Sequence, residues 1–360
     1  KKKVLFTLST LKIGGVQKSL VNILNNIDFN DYEVDIIVLE KSEKMISNIP
    51  LDVNIYYLSD FISDFKISKQ KNIIYRLKKN LKIRSILKKY KLIFSKKKYD
   101  VAIAYDGFNN YADLIAVICN SKKRIIFVHN DYLNMIKYSK FPFLKKLMYK
   151  KMGNKFSLFD QVICVSKSTM KNFEKLFQNI EVKVEYIYNL LDYKNILKLS
   201  EQKTKIKLTG DFNLISIGRL CKAKNFENLI EIHIKLLENG LKIKTYIIGG
   251  GEYQNKLIRI IKNKNIEDTF ILLGEQNNPY NILTQADLFI YNSLYETFGI
   301  VLLEASILSI PWVSSNTSGA NDLVNDLLKG KRCQIANSKE EFIEIINEIY
   351  NNSRNCELVN

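Results

Sequence analysis

The sequence predicts an α/β protein built from two successive parallel-sheet, Rossmann-like domains, and three observations predict it. Short apolar runs recur along the chain, and several are continuous rather than alternating, as in strands covered on both faces. Segments with helical spacing separate many of these runs. After Asn189, a polar, lysine-rich stretch to Gly210 carries no strong strand and reads as a linker. With 360 residues the chain also exceeds what one ordinary core serves. The expected division is a first domain over 1–190, a linker over 191–210, a second domain over 211–350 and a tail over 351–360.

Taken in order, residues 4–8 read as a buried first strand. The lysines before it imitate the start of a leader peptide, but Lys12 and Gly14-Gly15 interrupt the apolar stretch too early for one. A helix is expected over 16–25, then strands over 34–39, 53–58, 101–105, 124–128, 161–165 and 184–188, with helices such as 111–119 and 167–177 between them. The second series begins with a strand over 213–217, exits through Gly218-Arg219 and continues into a helix over 225–238. Strands over 243–248, 270–273, 288–291 and 312–313 follow, and the last helical pattern runs over 338–350. Ligands of such sheets bind beyond the carboxyl ends of the strands, so the loops there are where chemistry is expected.

Composition excludes several classes. No run of about 18 uncharged apolar residues occurs, so no membrane-spanning helix is expected. Cys119, Cys164, Cys221, Cys333 and Cys356 are odd in number and have neither disulfide nor zinc spacing, which suits buried thiols in a reducing compartment. Gly14-Gly15 does not supply the Gly-x-Gly-x-x-Gly of a nicotinamide-binding turn. Charge is placed unevenly. Residues 1–190 hold 35 Lys and Arg against 17 Asp and Glu, the whole net excess of +18, whereas residues 191–360 are balanced. Much of the excess lies between Lys66 and Lys98, interleaved with Ile, Leu, Tyr and Phe. A basic amphipathic element touching anionic lipid or a polyanionic substrate fits that pattern, as does a solvated basic helix. No nucleic-acid module accompanies the charge, so no nucleic-acid partner is expected.

Glu296 and Glu304 stand eight residues apart, separated by Gly299 and the apolar Ile300-Val-Leu-Leu303, directly after the strand at 288–291. That layout reads as strand, loop and helix, with the two carboxylates flanking a helix N-terminus where backbone amides and the dipole attract an anion. From spacing alone, two solvated glutamates in an ordinary βα unit are the better reading. Arg219 and Lys224 stand before the helix at 225–238, where the dipole disfavours cations, and an anionic ligand explains them better.

Together, Gly14-Gly15, Val165-Ser166, Ile187 to Asp192, Gly218-Arg219 with Lys224-Asn225, the glycines at 249–251 and Glu296-x7-Glu304 resemble, in this order, the retaining GT-B glycosyltransferases of family 4. The resemblance covers nearly the whole chain and implies the GT-B architecture, two Rossmann-like domains facing each other across a cleft. It implies that Arg219 and Lys224 bind the donor diphosphate, whose developing charge needs cations. Glu304 then holds the nucleotide ribose and Glu296 the hydroxyls of the transferred sugar, a role ionised carboxylates suit. Thr297, Phe298, Gly299 and Ile300 offer backbone amides to sugar and phosphate. Gly14 and Gly15 match a loop lining the cleft, and His129 matches a histidine near the donor sugar. Gly218, Gly249, Gly250 and Glu252 match the turns around the diphosphate and the base. A simple tight turn is the alternative reading of either glycine cluster, and His233 reads as a packing residue inside its helix. Asp322 stands where the family commonly has a Glu, and the family's crossover helix is expected to be short, missing or removed by truncation.

The implied activity is transfer of a hexose or N-acetylhexosamine from a nucleotide diphosphate sugar, expected to be a UDP-sugar. The acceptor is a saccharide, polyprenyl-linked or polyanionic, in cell-surface glycan synthesis. No cofactor and no metal are expected, since no Asp-x-Asp motif occurs. The basic first domain suggests attachment to the inner face of the cell membrane. Rival readings are a sugar-nucleotide epimerase or phosphorylase of the same fold, or a non-catalytic basic binding protein, which leaves the neutral second domain unexplained.

Overall fold

The computed structural model describes residues 1–12, 14–41, 46–58, 97–107, 110–328 and 332–357. It divides into two compact units, Lys1–Leu190 and Leu191–Asn360.

Among the described residues, the first unit holds seven parallel strands: β1 (Lys2–Thr10), β2 (Tyr32–Glu40), β3 (Val53–Tyr57), β4 (Tyr99–Ala104), β5 (Ser121–Val128), β6 (Gln161–Cys164) and β7 (Lys183–Tyr186). Their order is β3-β2-β1-β4-β5-β6-β7, so the winding reverses between β1 and β4. Among the described residues, five helices accompany them: α1 (Gly15–Leu24), α2 (Asn110–Ile118), α3 (Tyr132–Lys137), α4 (Pro142–Gly153) and α5 (Lys167–Leu176). Both faces of the sheet are buried, which is why the apolar runs are continuous. Along β1, Leu5 joins one core with Ile126, Phe156 and Phe173, while Val4, Phe6 and Leu8 join another with Leu20, Leu24 and Ile36. The region from Lys66 to Lys98 lies outside the described residues except for Lys97 and Lys98. Lys97 is not free basic surface, because its Nζ stands 2.7 Å from the buried carboxylate of Asp35 and 2.7 Å from Tyr56 Oη.

The second unit holds β8 (Phe212–Ile217), β9 (Ile243–Ile248), β10 (Phe270–Gly274), β11 (Leu288–Tyr291), β12 (Trp312–Ser315) and β13 (Cys333–Ala336), all parallel. Their order, β10-β9-β8-β11-β12-β13, reverses between β8 and β11. The helices are α6 (Tyr193–Ser200), α7 (Phe226–Glu238), α8 (Gln254–Asn263), α9 (Tyr280–Leu283), α10 (Ile300–Ile307), α11 (Ser318–Asp322) and α12 (Lys339–Glu357). Leu229, Ile230 and Leu236 of α7 and Phe342 and Ile346 of α12 close one face over Leu214, Leu288 and Val313. On β12, Trp312 is fully buried and donates from Nε1 to Ser306 Oγ of α10 at 2.9 Å.

Three details differ from the expectations. The stretch expected to be a linker contains α6, capped by Asp192 accepting from the Asn195 amide at 3.0 Å and packed on α9 and α10. The chain after it is tied to the second unit by Gln285, which accepts from the Leu208 amide at 3.2 Å and donates to the Ile206 carbonyl at 3.0 Å. Long-range polar contacts of this kind leave no local signature. The last helix runs on to Glu357 rather than ending at 350, since polar residues extend a formed helix readily after the apolar pattern has stopped. Strand β13 was too short and too weakly patterned to predict. Among the described cysteines, Cys119 and Cys164 are buried thiols while Cys221 and Cys333 are half-buried.

Candidate active site

In the second unit the strand order reverses between β8 and β11, and the loops leaving these two strands carry most of the candidate residues. From the β8 loop, Lys224 closes a 3-10 turn over Lys222–Lys224, held by its amide donating to the Cys221 carbonyl at 3.1 Å. From the β11 loop comes Glu296. Their side chains, 20% and 19% exposed, meet with Lys224 Nζ 2.7 Å from Glu296 Oε2. The Tyr291 hydroxyl, at the end of β11, joins both of them, and Lys224 Nζ lies 4.6 Å from the centroid of its ring. The loops are fixed to each other by the Leu294 amide, which donates to the Ala223 carbonyl at 2.8 Å.

Electrostatics lock this group in its charged form. Burial opposes the ammonium of Lys224, but Glu296 and Tyr291 outweigh it and raise the lysine above its ordinary range. Burial likewise opposes the Glu296 carboxylate, yet Lys224, Tyr291 and the Thr297 amide hold it below the usual range. Tyr291 is pushed up by burial and by the neighbouring carboxylate, so it remains a neutral hydrogen-bond donor. The Thr297 amide donates to Glu296 Oε1 at 3.1 Å, so in this structure it orients the carboxylate instead of facing outward.

Gly299 begins α10 with φ +83°, a left-handed cap that turns the chain from the Glu296 loop into the helix. Phe298 is 1% exposed, so only its backbone can meet a ligand. On α10, Leu302 is buried whereas Ile300, Val301 and Leu303 are half-buried, fewer than the run suggested. Glu304, 2% exposed, accepts from the Tyr280 hydroxyl of α9 at 2.9 Å. Arg219 is exposed on the β8 loop, close enough to Tyr295 to act on its hydroxyl electrostatically.

The glycines after β9 have a structural explanation. A Cβ at Gly249, with φ +148°, would stand 2.0 Å from the Gly218 carbonyl oxygen, and one at Gly251, with φ +155°, 2.5 Å from that of Leu220. The β9 loop therefore lies directly on the β8 loop, and the Leu220 amide donates to Gly250 at 2.9 Å. Glu252 is exposed at its end.

The remaining candidates belong to the first unit, after β1 and β5. Gly14 caps α1 with an extended φ of −174°, a conformation any residue adopts, and Gly15 is the first residue of α1. The Ser9 amide, near the end of β1, donates to Asp106 Oδ2 at 2.9 Å and so joins β1 to the loop after β4. His129 follows β5, its ring 4.9 Å from that of Tyr105. Burial pushes its imidazole down to about 4, against a backbone hydrogen bond to Tyr105, so it is neutral at neutral pH. Its Nε2 is buried and has no partner among the described residues. His233 is a packing residue, as expected, held between Thr245 Oγ1 at 2.8 Å and Thr269 Oγ1 at 3.0 Å.

Sequence reasoning missed Tyr291 and Tyr280. Tyr291 ends an apolar run and reads as ordinary strand, and Tyr280 lies 24 residues before the carboxylate it binds. Nothing local marks either one.

Comparison with known proteins accords with this geometry. Residues 13–194 match the family described as Glycosyltransferase Family 4, and residues 199–359 match Glycosyl transferases group 1. A similar protein from Campylobacter jejuni is N-acetylgalactosamine-N,N'-diacetylbacillosaminyl-diphospho-undecaprenol 4-alpha-N-acetylgalactosaminyltransferase, 28% identical over 278 residues, covering 73% of this chain and 71% of that one. The Escherichia coli UDP-Gal:alpha-D-GlcNAc-diphosphoundecaprenol alpha-1,3-galactosyltransferase is 24% identical over 380 residues, covering 97% and 92%. Anabaena HepE, solved with UDP and glucose, superposes with a TM-score of 0.68 at 18% identity over 97% of this chain and 89% of its own. TarM superposes at 0.73 with 14% identity over 98% and 92%, and these two likenesses carry the fold alone. With each of its two Rossmann-like units matched by a family description, the chain belongs to the family 4 glycosyltransferases and has the GT-B fold.

Proposed function

We propose that this glycosyltransferase moves a hexose or N-acetylhexosamine from a UDP-sugar to a saccharide or phosphate-bearing acceptor, with retention at the anomeric carbon and without a metal. The observation that carries the reading is the Lys224–Glu296 pair at the point where the second sheet reverses. A cation for a diphosphate and a carboxylate for sugar hydroxyls already stand side by side there. On donor binding Lys224 exchanges Glu296 for the diphosphate, Arg219 joins it, and Glu296 turns to the sugar. The bond from C1 to the diphosphate oxygen breaks and its electron pair stays on that oxygen. The acceptor oxygen bonds to C1 from the same face, and its proton passes to the departing diphosphate. Lys224, Arg219 and the first amides of α10 stabilise the charge that develops.

A polyprenyl diphosphate-linked saccharide is the acceptor class favoured by the basic first domain, and two relatives are named for diphospho-undecaprenol substrates. Such an acceptor places the enzyme at the inner membrane face, in capsule, lipopolysaccharide or teichoic acid synthesis. The test is UDP release from a panel of sugar nucleotides by the parent chain, Glu296→Ala and Lys224→Ala. Undiminished turnover in both variants overturns the site. Phosphate replacing the acceptor with equal turnover favours a phosphorylase instead.

A further inference from the structure

Helix α4 is apolar on two sides, and among the described residues only one is covered. Tyr149 and Gly153, one turn apart, face the core. Tyr149 packs edge-on against Tyr132 with centroids 5.1 Å apart, and Gly153 admits the Phe177 ring, which would stand 2.9 Å from an added Cβ. On the opposite side, Phe143, Leu144, Leu147 and Met148 occupy positions i, i+1, i+4 and i+5 and are 77%, 57%, 50% and 62% exposed. Phe141, just before the helix, is 61% exposed. Solvated single apolar residues need no explanation, but four on one helical stripe, with Phe141 at its start, are a grouping of the kind that marks a docking surface.

Charge identifies what the stripe fits. Residues 132–159 contain no Asp or Glu, and Lys140, Lys145, Lys146, Lys150 and Lys151 lie on or beside α4. Lys146 and Lys150 flank the stripe on one side, and Lys151 lies within it. Apolar side chains ringed by long cationic ones match the interface of an anionic bilayer, where the chains enter the acyl boundary and the ammonium groups remain among headgroups. A second copy of the chain fits less well, because two faces carrying the same lysines repel each other.

We propose that α4, with Phe141, is a membrane-docking element that binds anionic lipid surfaces by inserting Phe143, Leu144, Leu147 and Met148. It gives the peripheral attachment proposed above a specific element. Vesicle binding is read without donor or acceptor, so failure here and failure of the transferase reading are distinguishable.

The experiment is flotation of the full chain with phosphatidylcholine vesicles, with and without phosphatidylglycerol, at low and high ionic strength. The parent is expected to float with anionic vesicles at low salt and to be released by high salt. Phe143→Ser with Leu147→Ser is expected to weaken binding about tenfold or more, and Lys146→Glu with Lys150→Glu to remove the preference for anionic lipid. All four side chains are solvent-exposed, so both variants should keep the parent's melting temperature and its UDP release in solution. Unchanged flotation in either variant, or equal binding to pure phosphatidylcholine, overturns the proposal. So does a concentration-dependent dimer that Phe143→Ser with Leu147→Ser disperses, which assigns the stripe to a second copy.

Discussion

Lys224 Nζ stands 2.7 Å from Glu296 Oε2, and the two residues reach each other from loops 72 positions apart in the chain. The pair is mostly buried, so each charge depends on the other. Lys224→Ala leaves Glu296 without its cation and should cost about 2–3 kcal/mol, below the range for a fully buried pair because about a fifth of each side chain meets solvent. Thermal melting measures this, and donor turnover should fall about 100-fold or more in the same variant, as for loss of a group that stabilises developing charge.

Tyr291 joins the same pair through its hydroxyl, so Tyr291→Phe should retain the ion pair while loosening its geometry. Hydrogen bonds to charged groups contribute about 1.5–3 kcal/mol, which corresponds to roughly a 10- to 100-fold loss in kcat/KM. A change confined to the melting temperature would make Tyr291 purely structural.

Tyr280→Phe removes the hydrogen bond that the Tyr280 hydroxyl donates to Glu304 Oε1. If Glu304 holds the ribose, UDP affinity measured by calorimetry should weaken about tenfold, the effect of one lost hydrogen bond to a charged group, while kcat changes little. Equal affinity in the variant would remove Glu304 from the nucleotide site.

His233 is 1% exposed and burial holds its imidazole near 4, against about 6.5 in the unfolded chain. The unfolded state therefore binds more protons between these values. Stability from this group is fully present above pH 6.5 and is lost as pH falls towards 4, by at most about 3 kcal/mol. His233→Gln should flatten denaturant-derived stability across that window. A slope unchanged by the substitution would assign the acid sensitivity elsewhere, His129 being the next group to test.

Metal independence is checked directly. With Lys224 and Arg219 supplying the charge, turnover after exhaustive chelation should stay within about twofold of that with added magnesium. A loss restored by a divalent ion would show that those two cations are insufficient.

Much of the architecture was legible in the sequence because a parallel sheet buried on both faces imposes a continuous apolar signal. The expected strands at 4–8, 34–39 and 243–248 fall within β1, β2 and β9. The motif loops were legible too, since Gly299 announces a backbone conformation that other residues adopt only with strain. What the tertiary structure alone decided was which side chains meet. Tyr291 and Tyr280 became partners of Glu296 and Glu304 through contacts between separate elements, and Gly249 proved to accommodate the Gly218 backbone. The second apolar side of α4 has the same origin. Periodicity marks a residue as apolar, and only packing determines whether anything covers it.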